Sequence, residues 1–115
     1  MNRLIFITLA MFLFGCLASS QKTRFATVTQ PGVITLNKRP SQKHIYAISI
    51  SCSGRIDGQA RLSLMLNGKP YKTEEISGKV NFFWGGDWYS DSVEIRYEPV
   101  NVSSGELIFS YKFAD

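Results

Sequence analysis

From residue 24 onward, apolar and polar positions alternate with a period of two, and a helical period is nowhere sustained. Residues 24–29 alternate and are rich in β-branched side chains until Gln30-Pro31-Gly32 breaks the run. Residues 33–36 predict a short edge strand, and 38–41 a loop. Across 44–52 the two-residue period puts Tyr46, Ile48, Ile50 and Cys52 on one face, which predicts the first central strand. Gly54 and Gly58 bracket an expected turn, and beyond it Ala60, Leu62, Leu64 and Leu66 alternate with Arg61, Ser63 and Met65. Asn67-Gly68 follows at once. Both central residues of a type I′ turn need positive φ, so this dipeptide predicts a two-residue hairpin with 69–76 folding back antiparallel.

Gly78 separates that arm from 80–84, where Val80, Phe82 and Trp84 share one face and Phe83 takes the other. Val93-Glu94-Ile95-Arg96-Tyr97 alternates strictly until Pro99 stops it, and 106–113 sets Leu107, Phe109, Tyr111 and Phe113 against Ile108, Ser110 and Lys112. About seven or eight strands, with turn signals every eight to twelve residues or so, predict an all-β fold. The architecture is a small antiparallel β-sandwich, jelly-roll or Ig-like, or a barrel. The Cys, Trp and Cys signature of an Ig domain is missing, so topology stays open.

The start of the chain has a different pattern. Asn2-Arg3 precedes an apolar run over 4–14, then Gly15-Cys16. A basic start, a short greasy stretch and a small residue make an export leader. A bilayer-spanning helix needs roughly 20 apolar residues, so removal of this run is expected rather than retention. Its ending, Leu13-Phe14-Gly15-Cys16, resembles the lipobox of bacterial lipoproteins, with Phe14 where that family has a small or β-branched residue. The resemblance implies lipidation of Cys16 and cleavage just before it. It also implies outer-membrane delivery in a Gram-negative host, because Leu17 stands where an Asp would favour inner-membrane retention. The alternative is ordinary cleavage after Ala18 or Ser20, giving a periplasmic or secreted protein. The expected organisation is a signal peptide over 1–15, a lipidated tether over 16–23 and a β-sandwich domain over 24–115. Cys16 and Cys52 are the only cysteines, so no internal disulfide is expected on either route.

With the leader gone, about a hundred residues remain, one domain with a modest core, and an aromatic content of 13% supplies the dense packing such a core needs. The net charge of +4 is scattered among acids, and the closest cluster, Lys38-Arg39 with Lys43, reads as a solvated loop. No nucleic-acid footprint is present, and membrane contact is expected through the lipid on Cys16.

Chemistry-bearing residues are few. His44 and Cys52 sit eight residues apart on what reads as one strand, about 26 Å at 3.3 Å per residue, which is too far for a nucleophile and its base. Cys52 continues the apolar face of Ile48 and Ile50 and is expected in the core. One His and one Cys cannot make a zinc site. Asp87, Asp91 and Glu94 lack the spacing of a calcium loop, and adjacent Glu74 and Glu75 point to opposite faces of a strand. No catalytic residue, metal or cofactor is expected. The densest local cluster is Trp84-Gly85-Gly86-Asp87-Trp88-Tyr89. Trp84 is in register with the core, whereas Trp88 and Tyr89 lie beyond the Gly85-Gly86 break and are expected to be exposed. With Asp87 they form the candidate binding site, aromatic faces and a hydrogen-bond acceptor on a turn. The expected function is that of an exported, lipid-anchored envelope protein engaging a protein or glycan partner without catalysis. The alternatives are a small secreted or periplasmic inhibitor, a phage-exclusion factor, or a glycan-binding module.

Overall fold

A computed structural model describes residues 20–115; the leader and Cys16 lie outside the described residues. Six antiparallel strands form the domain: β1 (Gln21–Phe25), β2 (Gly32–Asn37), β3 (Ala47–Leu66), β4 (Lys69–Asp87), β5 (Ser92–Pro99) and β6 (Ser104–Ala114). Their order is β1-β6-β3-β5-β2, with β4 on the other side of β3. The first half of β3 lies between β6 and the second half of β4, and its second half between β5 and the first half of β4. Two layers result, β1-β6-β3-β4 and β2-β5-β3-β4, joined by one long hairpin that bends through both. The fold is an antiparallel β-sandwich nearly closed into a barrel. Because β3 and β4 each serve twice, six strands supply the sheet segments that the turn spacing predicts.

The bend has an identifiable cause. Pairing passes from Ile56↔Gly78 to Gln59↔Ser77, so Asp57 and Gly58 form a bulge in β3, and bulges bend and twist the strand that carries them. Gly58 has φ +128, and a Cβ there would run into the carbonyl of Asn101. The backbone groups that the bulge frees are taken by the segment after β5: Val100 N–H donates to Gln59 O at 2.8 Å, and Ser103 N–H to Asp57 O at 2.9 Å. Gln59 N–H in turn donates to Asn101 Oδ1 at 2.7 Å. The turn expected at Gly54 and Gly58 and the break expected at Gly78 are therefore absent. A bulge absorbs the extra residues without ending the ladder.

Ile48, Ile50, Cys52 and Trp84 join Leu107, Phe109 and Phe113 of one layer with Leu36, Leu62, Leu64, Ile95 and Tyr97 of the other in a single core. Phe25 of β1 meets Tyr97 of β5 edge-on, ring centroids 5.0 Å apart, and the Tyr97 hydroxyl donates to Val28 O at 2.6 Å. This contact ties the two layers together at the edges that the hairpin does not join.

The Asn67-Gly68 turn forms as expected, with φ 53 and 77 and Leu66 paired to Lys69. The strand alternation near it does not. Leu64 pairs with Lys72 and Met65 with Pro70, which leaves Tyr71 as an extra residue on β4. The slip reverses the faces at the hairpin end: Met65 is buried and Leu66 is 40% exposed. Tyr46, expected on the inward face, is exposed because β3 pairing begins only at Ala47; Ile45 is buried in its place. β1 starts at Gln21, inside the range read as tether, and ends at Phe25 rather than at residue 29.

Candidate functional site

The bend in the long hairpin brings its two ends together. Ala47 and Asp87 pair at the open end of the hairpin, and the Asn67-Gly68 tip folds over beside them. Between them lies a groove of about 410 Å³ lined by Leu66, Asn67, Tyr71, Asp87, Trp88, Tyr89 and Ser90. The sequence-predicted residues Asp87, Trp88 and Tyr89 are thus on one site. Tyr71, Leu66 and Asn67, which the sequence reading does not place there, complete it.

Trp88 is not exposed as expected. It is 5% accessible, and its indole Nε1–H donates to Ser92 O at 3.0 Å. The Gly85-Gly86 break does not release it, because pairing continues through Ile48↔Gly86 and Ala47↔Asp87, and Trp88 N–H then donates to Tyr46 O at 3.2 Å. The ring closes the end of the sandwich and forms the groove floor. Tyr89, one residue on, is 77% exposed, and Tyr71 is 54% exposed. The β4 bulge is what presents Tyr71, and Pro70, which cannot donate to a ladder and is confined to strand edges and bulges, is the residue that could have signalled it. The Asp87 carboxylate and the Asn67 amide have no hydrogen-bond or ion-pair partner among the described residues. Lys72 Nζ stands over the Tyr71 ring at 5.5 Å from its centroid, so two exposed phenols, one of them with a cation on a face, surround one concavity with a free carboxylate and a free amide.

A second hollow of about 400 Å³ lies at the opposite end, lined by Gly54, Arg55, Asp57, Ser104, Gly105 and Glu106. Its acids are already engaged. Glu106 pairs with Arg24 at 2.5 Å, and Ser104 Oγ–H donates to Asp57 at 3.0 Å.

Cys52 is fully buried, and burial pushes its thiol up to about 12, so it stays protonated and inert. His44 stands exposed on the loop before β3 and is not brought to it. Among the described residues no group of three His, Cys, Asp or Glu side chains could hold a metal ion. Glu75 is paired with Arg61 at 2.7 Å, and Glu94 with Arg96 at 3.9 Å.

No protein-family model matches the chain, and no curated protein matches it. Solved structures share the fold. The PirA structure superposes with a TM-score of 0.50 at 11% identity, over 83% of this chain and 97% of that one. PliG, a periplasmic inhibitor of g-type lysozyme from Aeromonas hydrophila, gives 0.48 at 13% identity, over 83% and 88%. A carbohydrate-binding module, CBM4, gives 0.44 at 12% identity over 73% of this chain, which spans 61% of that protein's length.

Proposed function

We propose that this chain is an exported envelope lipoprotein, anchored through lipid on Cys16, whose sandwich binds a sugar-bearing envelope component in the Tyr71/Tyr89 groove without catalysis. The observation that carries the reading is the combination in one concavity of two exposed phenols with an unpartnered carboxylate and amide. Aromatic faces stack on the C–H surfaces of a pyranose, while a carboxylate and an amide take its hydroxyls. The groove lining holds no Lys or Arg, and Lys72 beside it is engaged over the Tyr71 ring, so the groove suits a polyol better than a phosphate. A binding rather than catalytic role is supported by the state of Cys52, which is neither accessible nor ionised.

The test is capture from an envelope extract with the wild-type chain and with Tyr71→Ala/Tyr89→Ala. Retention on purified peptidoglycan or lipopolysaccharide that the double variant loses supports the reading. A stoichiometric protein partner, with no glycan retention, replaces it with the inhibitor alternative.

A further inference from the structure

The groove does not end at the hairpin tip. A second hollow of about 210 Å³ adjoins it, and the two share Leu66, Asn67, Trp88 and Ser90 as common walls. The turn residue Asn67 and the indole of Trp88 thus stand on the boundary, and a ligand longer than one sugar ring would cross it. The charge along this surface is one-sided. Asp87 is the charged side chain of the first hollow and Glu94 that of the second, and among the described residues no Lys or Arg lines either. The Asp87 carboxylate has no hydrogen-bond or ion-pair partner among the described residues. Glu94 meets only Arg96, at 3.9 Å, with both side chains about half exposed. Lys72, the cation beside the groove, stands over the Tyr71 ring, whereas Tyr89 carries no ring or cation contact and is 77% exposed.

These features select among sugars. A neutral hydroxyl gives an unpaired carboxylate only an ordinary hydrogen bond, and a phosphate or uronate brings like charge up to it. A protonated amine instead makes a charge-assisted hydrogen bond, roughly twice as strong as a neutral one, and a cation over an aromatic face is attracted by the ring quadrupole. The chain as a whole carries +4, so bulk attraction would favour the opposite class of ligand, and a preference for cations has to arise at the site. We infer that the groove and its extension past Asn67 take an oligosaccharide with free amino groups, one ammonium on Asp87 beside Tyr89 and another, on a following ring, on Glu94. The inference rests on the groove reading above and names the class of sugar that the groove takes.

The experiment is calorimetry on the full mature protein in detergent, with chitosan oligosaccharides and their fully N-acetylated counterparts, in mildly acidic buffer at physiological ionic strength. The amine form should bind about five- to tenfold more tightly, and Asp87→Asn/Glu94→Gln should remove that preference while leaving the affinity for the N-acetylated chains near wild type. Both positions are exposed, so a melt of the variant should match wild type. Glu94→Gln alone should weaken binding of the oligosaccharide and leave that of single glucosamine unchanged. Equal or tighter binding of the N-acetylated chains overturns the amine inference, as does a preference for amines that survives in Asp87→Asn/Glu94→Gln. Failure of both chain types to bind, where peptidoglycan or lipopolysaccharide is still captured through Tyr71 and Tyr89, overturns it and leaves the groove reading standing. Glycan capture that Tyr71→Ala/Tyr89→Ala does not affect removes both.

Discussion

Trp88 donates its indole N–H to the carbonyl of Ser92 at 3.0 Å, and this one bond closes the end of the sandwich beside the groove. It joins the end of the β4 ladder to the first residue of β5, so the turn between the two strands is fixed by a side chain. Trp88→Ala should cost about 3 to 5 kcal/mol, the usual range for deleting a core indole. Trp88→Phe keeps most of the apolar volume and should cost less, with about 1 kcal/mol from the lost bond. Urea midpoints of the two variants beside Trp84→Ala would check this, and a Trp88→Ala midpoint close to wild type would show the ring to be dispensable.

The two glycines that shape the long hairpin should respond differently to an added methyl. At Gly68, φ is +77 and a Cβ would meet nothing within 4 Å, so the penalty is conformational only. Gly68→Val should cost about 1 to 2 kcal/mol. At Gly58 the same strain is joined by a collision with the Asn101 carbonyl at the bulge. Gly58→Ala should be clearly worse than Gly68→Ala in thermal melts, and the reverse order would mean that the bend does not depend on the bulge.

Stability should fall in alkali through the buried thiol and phenol. Burial raises Cys52 to about 12 and also raises Tyr97. Above the ordinary thiol value the unfolded chain has lost a proton that the folded chain keeps, so the unfolded state binds fewer protons and stability declines as pH rises. For Cys52 the decline runs from about 9 to about 12, at no more than about 1.4 kcal/mol per pH unit. Cys52→Ala should flatten denaturation midpoints between those values, at the cost of a lower midpoint at neutral pH. At pH 8 the native thiol should resist a maleimide that labels it rapidly in urea.

The period-two pattern carried most of the fold. Val80 and Trp84 inward with Phe83 outward, and Leu107 through Phe113 in one buried row, follow from alternation alone, because each residue type matches the face its position dictates. What the pattern hid was the continuity of β3 and β4. Glycine is the shared mark of a turn and of a bulge, and only the partner strand decides which one forms; at Gly58 the decision lies with Asn101, more than forty residues away. The site was half legible for the same reason. Asp87, Trp88 and Tyr89 stand together in sequence, but Tyr71 reaches them only through a bulge and a bend, and whether Trp88 turned in or out depended on a carbonyl four residues on.

The groove tyrosines separate binding from folding. Tyr89 is 77% exposed and Tyr71 54% exposed, and neither belongs to the core cluster. Exposed side chains outside a network change stability by about 0.5 kcal/mol or less when truncated, so Tyr71→Ala and Tyr89→Ala should melt almost as wild type does. Binding should behave otherwise. Stacking contacts at an interface hot spot are worth about 2 kcal/mol, so under the proposed glycan reading the double variant should bind a saccharide at least about thirtyfold more weakly than wild type. Asp87→Asn keeps a hydrogen-bond acceptor and should cost less than Asp87→Ala in the same titration. Calorimetry with peptidoglycan and lipopolysaccharide fragments, paired with a melt for each variant, distinguishes the outcomes. Unchanged affinity in the double variant would remove the groove as the binding site, and a lowered melting temperature would return the tyrosines to a structural role.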